Sequence, residues 1–480
     1  MSDRSPAAIT EPVSTPPAKR GHSIVAWLVI CLTVGTVVWR TAAVAPKAHA
    51  QFDPFLIDLQ IRGMVGVADL LGMRNEGLYH QTETAIGKGY YQQIYLAILA
   101  GELLGPVQAR DQLRHLPDDR NDDPETVEAL DTIFRMREEG ELNHNSRRRS
   151  HDVEDKAEFE TMTAAEERVR DKLGWSGALA LNPPDTPNHA ERERLLKSAR
   201  RTAAMLLTLE GMAFILVPVG LGLLGIVLGL AAYRKVRPRL STGSPNGGIY
   251  AETFALWMTL FLGLAFLGRF IPAGNSHLLV SIGLELVSLS VLAWPVIRGV
   301  AWRDMLREVG LARPARPGFE VLAGVSTYVV AVPFLAAGVV AMLILMAVAK
   351  RLGYEVAMPG HPLVKEVAES GAWGYLQALV AACIMAPIVE EMMFRGFLLR
   401  HLRELTARWG RVLSFIVSAF VVSFLFAVIH PQGWLGMPAL MGLAFAFCLA
   451  REFRGTLIPC MVAHAIQNSA VLIMVYVMAG

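Results

Sequence analysis

Long apolar runs, each closed by polar or turn residues, fill the second part of the chain at about 204–233, 252–270, 277–297, 320–349, 373–399, 412–430, 435–450 and 456–478. A helix rises about 1.5 Å per residue, so roughly 20 apolar residues cross a hydrocarbon layer. Lipid offers no hydrogen-bond partner, so such segments must satisfy their backbones internally as helices. An earlier run, "SIVAWLVICLTVGTVVW" at 23–39, raises the total to nine. The pattern predicts an all-α fold, a polytopic membrane bundle of about nine transmembrane helices. The 435–450 run is the shortest.

Between the first and second runs the character changes. Residues 45–200 read as a small, mostly helical, charged domain, beginning with helical apolar spacing in "FDPFLIDLQIRGMVGVADLLGM". The stretch 117–172 is densely charged, with "RRR" at 147–149 and "AAEERVRDKLGW" at 164–175. Acids and bases are mixed there, which marks a solvated face and argues against nucleic acid as a partner. Residues 1–22, rich in Pro, Ser and Ala, read as a disordered tail. The "AHA" at 48–50 resembles a signal-peptide cleavage site, but Arg40 and the long stretch before it favour an uncleaved membrane anchor over 23–44.

Lysine and arginine bias orients the spans. "RKVRPR" (234–239), the 298–316 linker, the Arg400–Arg411 stretch and "REFR" (451–454) all fall on one side. "PAGNSH" (272–277) and "HPQGW" (430–434) carry neither residue. This predicts a multi-pass protein of the cell membrane, with a cytoplasmic amino terminus and residues 45–200 extracytoplasmic. Composition agrees: the chain is 53% hydrophobic, with a formal net charge of only +2. Its 4 cysteines all lie in apolar runs and suggest no disulfide framework.

Ionisable groups at membrane depth are costly and point to function. Glu285 and Arg269, on consecutive spans, are expected to form a buried ion pair. In "APIVEEMMFRG", Glu391 and Arg395 stand four apart on one helix face and can pair. Glu390 points about a hundred degrees away and is left for general acid/base chemistry. His430 ends one span, with Phe426 one turn earlier. In the last span Cys460, His464 and Asn468 share a face. A cysteine nucleophile paired with His464 is disfavoured, since nothing in the sequence would stabilise its thiolate.

The ordered motifs Glu390-Glu391-Met-Met-Phe-Arg395, Phe426-Ala-Val-Ile-His430 and His464-Ala-Ile-Gln-Asn468 resemble EExxxR, FxxxH and HxxxN of the CPBP family, the CAAX prenyl endopeptidases and bacteriocin-processing enzymes also called Abi. The resemblance is close over roughly 370–480. It makes 351–480 the protease core and 201–350 accessory transmembrane helices. It implies an intramembrane endopeptidase acting on a membrane-associated protein or peptide. In it Glu390 activates water with help from His430, and His464 and Asn468 polarise the carbonyl or hold its oxyanion. Glu391 and Arg395 give structural support.

Chemistry alone leaves the cofactor open. Glu390, His430 and His464 are a carboxylate and two imidazoles that suit an open zinc site, and the same groups suit general-base attack without metal. Oligomeric state is not legible. Two other classes are a non-catalytic immunity or scaffold protein and a proton-coupled transporter, the latter lacking an internal repeat of spans. Straight-helix arithmetic raises one tension. Glu390 lies some 15 Å above Arg400, and His464 about as far above Arg454. His430, about nineteen residues beyond Arg411, comes out nearly a full bilayer away.

Overall fold

The computed structural model describes residues 21–44, 54–72, 76–86, 89–117, 123–139, 153–184, 188–240, 246–271, 277–353 and 371–479. Nearly all of the expected amino-terminal tail, the "AHA" at 48–50, the "RRR" at 147–149 and most of the "PAGNSH" and 350–371 loops lie outside them. Among the described residues there is no strand. Nine helices there are long and apolar enough to cross a membrane: Ser23–Arg40, His189–Ala232, Gly247–Gly268, Leu278–Ile297, Pro317–Arg351, Gly371–Leu405, Arg411–Val428, Gly433–Arg454 and Ile458–Val477. The chain is a multi-pass membrane protein. Its spans carry large apolar side chains on their outer faces, Phe214, Ile297 and Val412 among them, which water would not tolerate as a band and lipid does.

Two compact units divide the chain. The first comprises Met1–Ala42, Val219–Leu343 and Leu376–Asn468. Its core is aromatic and aliphatic, with Tyr250, Phe254, Trp257, Phe394, Phe397 and Phe426 stacking edge to face. The first span is more than a tether. Ala26 and Ile30 are buried in this core, and Trp27 donates its indole N–H to Nε2 of His401 at 2.9 Å. Glu252 gathers the same region, accepting from Trp294 at 2.8 Å and lying 3.6 Å from Arg298.

Close backbone approach holds two other spans together. A Cβ on Gly338 would come within 2.3 Å of the Pro438 carbonyl oxygen, and one on Gly442 within 2.2 Å of that of Phe334. Without a hydrophobic driving force in lipid, such small-residue contacts supply the packing.

The second unit comprises Ala43–Pro218, Ile344–Tyr375 and Ser469–Gly480. Its described part before 218 is built from the helices Pro54–Leu71, Glu76–Ile86, Tyr90–Leu103, Pro106–Arg114, Pro124–Glu138, Val153–Leu181 and the start of His189–Ala232. They enclose an apolar core that includes Ile61, Ile94, Leu99, Leu130 and Phe134. Asp123 caps Pro124–Glu138 by accepting from the Thr126 N–H. Asp58 ties two helices by accepting from the backbone N–H and the hydroxyl of Ser176. Burial pushes its carboxyl above the usual range, against the pull of Ser176 and Arg62.

A buried polar link in this unit is made by Arg192. It donates to both oxygens of Glu102 and to the Asn182 carbonyl, at 2.6 to 3.2 Å, with both side chains nearly fully buried. Breaking such a pair strands a charge in a dry site. Arg192→Ala is therefore expected to cost about 3–5 kcal/mol in urea unfolding of the detergent-solubilised protein followed by circular dichroism. Adding Glu102→Ala should recover part of that loss, and simple additivity of the two would overturn the pairing.

Candidate active site

Glu390 and Glu391 lie in a single composite helix. Its α-helical segments Gly371–Val380, Ala386–Glu391 and Leu399–Leu405 alternate with π-helical turns at Ala381–Met385 and Met392–Leu398. Wide turns of this kind recur at functional sites, because each inserts an extra residue and re-aims the side chains around it.

The two glutamates have separate surroundings. Glu391 and Arg395 are both fully buried and pair at 3.0 Å, as their spacing predicts. Glu391 Oε1 also lies 2.9 Å from Nδ1 of His464. A carboxylate can only accept, so His464 carries its proton on Nδ1. Arg395 is further enclosed by the rings of Phe426 and Phe447, at 4.7 and 5.4 Å from its guanidinium carbon. It donates to the Ala444 carbonyl at 3.3 Å. The result is a continuous chain, Arg395 to Glu391 to His464, inside an aromatic cage.

Glu390 has no such partner. Its Oε2 is buried without a hydrogen bond and lies 3.9 Å from Nε2 of both His430 and His464. His430 donates Nδ1–H to the Phe426 carbonyl at 2.6 Å, so its Nε2 offers a lone pair toward the carboxylate. Asn468 stands one turn beyond His464. It donates from Nδ2 to the Ala382 carbonyl at 2.6 Å, in the first π turn, and is tied to the glutamate helix rather than to Glu390 itself. Glu390, His430 and His464 are thus brought together, with Asn468 anchored to the same helix.

The expected depth mismatch of His430 does not arise. The glutamate helix does not end near Arg400: Arg400, His401 and Arg403 are helical and buried. The turn to the next span comes only after Leu405 and Trp409. From Leu405 up to Glu390 is about 22 Å, and from Arg411 up to Val428 about 26 Å, so the two rise to similar heights. Arg400 lies inside its helix while Arg411 opens the next one, so the two arginines do not mark a common depth. On the His464 side, Arg451 donates Nε–H to the Arg395 carbonyl at 3.3 Å. That turn therefore lies much nearer the carboxylates than the Leu405 turn does.

Other expectations fare differently. Among the described residues Arg269 and Glu285 make no ion pair. Cys460 is fully buried and donates its thiol to the Phe447 carbonyl at 3.2 Å. Phe447, unremarked in an apolar run, proves to flank both Arg395 and His464. Among the described residues no three His, Cys, Asp or Glu side chains are grouped as a ready-made metal site, while Glu390 Oε2 stands 3.9 Å from both imidazoles.

Comparison with known proteins gives one match. Residues 372–470 match the family described as type II CAAX prenyl endopeptidase Rce1-like. The matched stretch contains both glutamates, both histidines and Asn468. No curated protein and no solved structure matches the chain.

The buried chain predicts non-additive energetics. Glu391→Gln keeps an acceptor for His464 but leaves the Arg395 charge uncompensated, and should cost about 3–5 kcal/mol. The double variant Glu391→Gln/Arg395→Met is expected to be more stable than the sum of the single losses, measured by thermal unfolding in detergent. Equal, additive losses would show that the two do not act as a pair.

Proposed function

We propose, for a chain whose residues 372–470 match the type II CAAX prenyl endopeptidase Rce1-like family, that it is an intramembrane endopeptidase acting through Glu390, His430, His464 and Asn468. That family is one of proteases. The observation that carries the reading is the unpartnered Oε2 of Glu390, 3.9 Å from two imidazole nitrogens. Such spacing is too long for a direct hydrogen bond and suited to a bridging water.

The chemistry follows from the proton positions. Water donates one hydrogen to Glu390 Oε2 and the other to His430 Nε2, turning a lone pair outward. As the oxygen attacks the scissile carbonyl carbon, Glu390 takes its proton. The carbonyl π bond opens to an oxyanion. Asn468 has one amide hydrogen committed to Ala382 and a second left to donate to that oxyanion. His464 donates from Nε2 when both its nitrogens are protonated, with Glu391 at Nδ1 as counter-charge. Collapse breaks the C–N bond, and Glu390 returns the proton to the leaving nitrogen. Donors fixed in a dry site before charge develops are the larger part of such catalysis. Arg395 and Glu391 act through His464 by setting its tautomer and orientation.

The substrate in this reading is a membrane-associated protein or peptide, reached laterally or from the arginine-rich side. Residues 351–480 form the protease core and 201–350 accessory spans. Lysine and arginine bias supports a cytoplasmic amino terminus and an extracytoplasmic 45–200 domain that selects or presents the substrate.

Glu390→Gln is expected to lower cleavage by about 10²–10⁴-fold with the unfolding temperature unchanged. His464→Ala and Asn468→Ala should each lose about 10²–10³-fold. Quantitative membrane proteomics of a Glu390→Gln strain against wild type would reveal the substrate as an accumulated uncleaved protein. Full function in that strain would leave a scaffold role instead. In this scheme Glu390 and His430 activate the water directly, so thorough chelation of the purified protein should leave cleavage intact. Loss on chelation with recovery on zinc add-back would overturn the metal-free scheme.

A further inference from the structure

Away from the glutamate–histidine group, the arginine-bearing connections converge on a cavity of about 410 Å³. Arg239 comes from the segment after the second span, Asp304, Arg307 and Glu308 from the short helix Trp302–Val309, and Arg451 and Arg454 from the end of Gly433–Arg454. Four guanidinium groups thus face two carboxylates.

Both carboxylates are already engaged. Asp304 pairs with Arg307 at 3.4 Å. Glu308 accepts from the Tyr250 hydroxyl at 2.7 Å and from Arg400 at 3.4 Å. Arg454 is held by Glu320, outside the cavity, at 2.5 and 3.0 Å. That leaves Arg239 and Arg451 with no carboxylate in salt-bridge range among the described residues.

Arg451 is the telling one. It is 1% exposed, and its charge is met only by peptide oxygens. Nε donates to the Arg395 carbonyl at 3.3 Å and Nη2 to the Glu308 carbonyl at 2.9 Å, while Nη1 has no hydrogen-bond partner. A buried cation without an anion is expensive. An anion from outside would offset that cost and meet the unpartnered Nη1.

The surroundings name the level at which that anion sits. In Trp302–Val309, Met305 and Val309 are buried, and Trp302, Arg303, Asp304 and Arg307 are exposed. This is the amphipathic pattern of a helix suited to lie along a membrane interface. Exposed Trp302 and Phe319, the latter beneath the Arg454 guanidinium at 5.1 Å, are the aromatics that settle at lipid headgroup depth. Guanidinium groups recognise phosphate oxygens through paired N–H donors.

We propose that this cavity is a phosphate-binding site, taking the headgroup phosphate of an anionic phospholipid or free inorganic phosphate onto Arg239, Arg307 and Arg451. The test is thermal unfolding of the full-length protein in a neutral detergent, read by tryptophan fluorescence. Dioctanoyl phosphatidylglycerol, dioctanoyl phosphatidylcholine and inorganic phosphate are titrated separately at constant ionic strength. A saturable rise in Tm of about 2 °C or more is expected. Saturation by phosphatidylglycerol alone identifies a lipid site, and saturation by inorganic phosphate, competing with the lipid, a free-anion site. Arg239→Gln and Arg451→Gln should each weaken the apparent affinity by about tenfold or more. Arg239 is exposed and outside the buried network, so its variant decides the matter if Arg451→Gln fails to fold. No saturable shift with any of the three, or wild-type affinity in Arg239→Gln, would overturn the site.

Discussion

A fully buried arginine cannot be left without compensation in an apolar bundle, and the organisation around the adjacent carboxylates follows from that constraint. Arg395 is met by Glu391, by the Ala444 carbonyl and by the faces of Phe426 and Phe447. Satisfying it draws three spans together at one depth. Because Glu391 is spent on Arg395, its second role is to hold His464 by Nδ1. Glu390, one residue earlier, inherits the opposite situation, a buried carboxylate oxygen without a hydrogen bond, 3.9 Å from two imidazole nitrogens. The division between a supporting and a reactive glutamate is thus a matter of which one faces the arginine.

Much of this was legible because lipid imposes simple rules. The nine spans could be read from apolar length alone, and the polar side chains inside them stood out because each needs a reason to be there. The Glu391–Arg395 pair followed from helical spacing. What escaped the sequence were partners without side-chain identity. The carbonyls of Phe426, Ala382 and Ala444 fix His430, Asn468 and Arg395, and no letter code announces a carbonyl. Phe447 was hidden for a related reason, since an aromatic in an apolar run looks like packing until its neighbour is known.

Charge near span ends misled in a more instructive way. The lysine and arginine bias treats Arg400, Arg403 and Arg451 as loop residues reporting topology. They are instead buried, with Arg403 gripping Glu452 at 2.8 and 3.0 Å and Arg451 bonded to the backbone at Arg395. The same side chains that signal orientation also clamp the helix ends. That dual use displaced the apparent origin of the Glu390 helix and produced the spurious height of His430. Arg269 and Glu285 failed for a simpler reason: consecutive spans permit a pairing without requiring it.

The two π turns that bracket Ala386–Glu391 carry a last consequence. Each holds one residue more than an α-helical count would allow, so the angular phase of the carboxylates is stored in chain length as well as in composition. Shortening either turn by one residue would rotate everything beyond it by about 100°, swinging Glu390 off the imidazoles without altering a single side chain of the motif. Descent within such a lineage would therefore tolerate broad exchange of apolar residues along this helix while forbidding insertions and deletions in it.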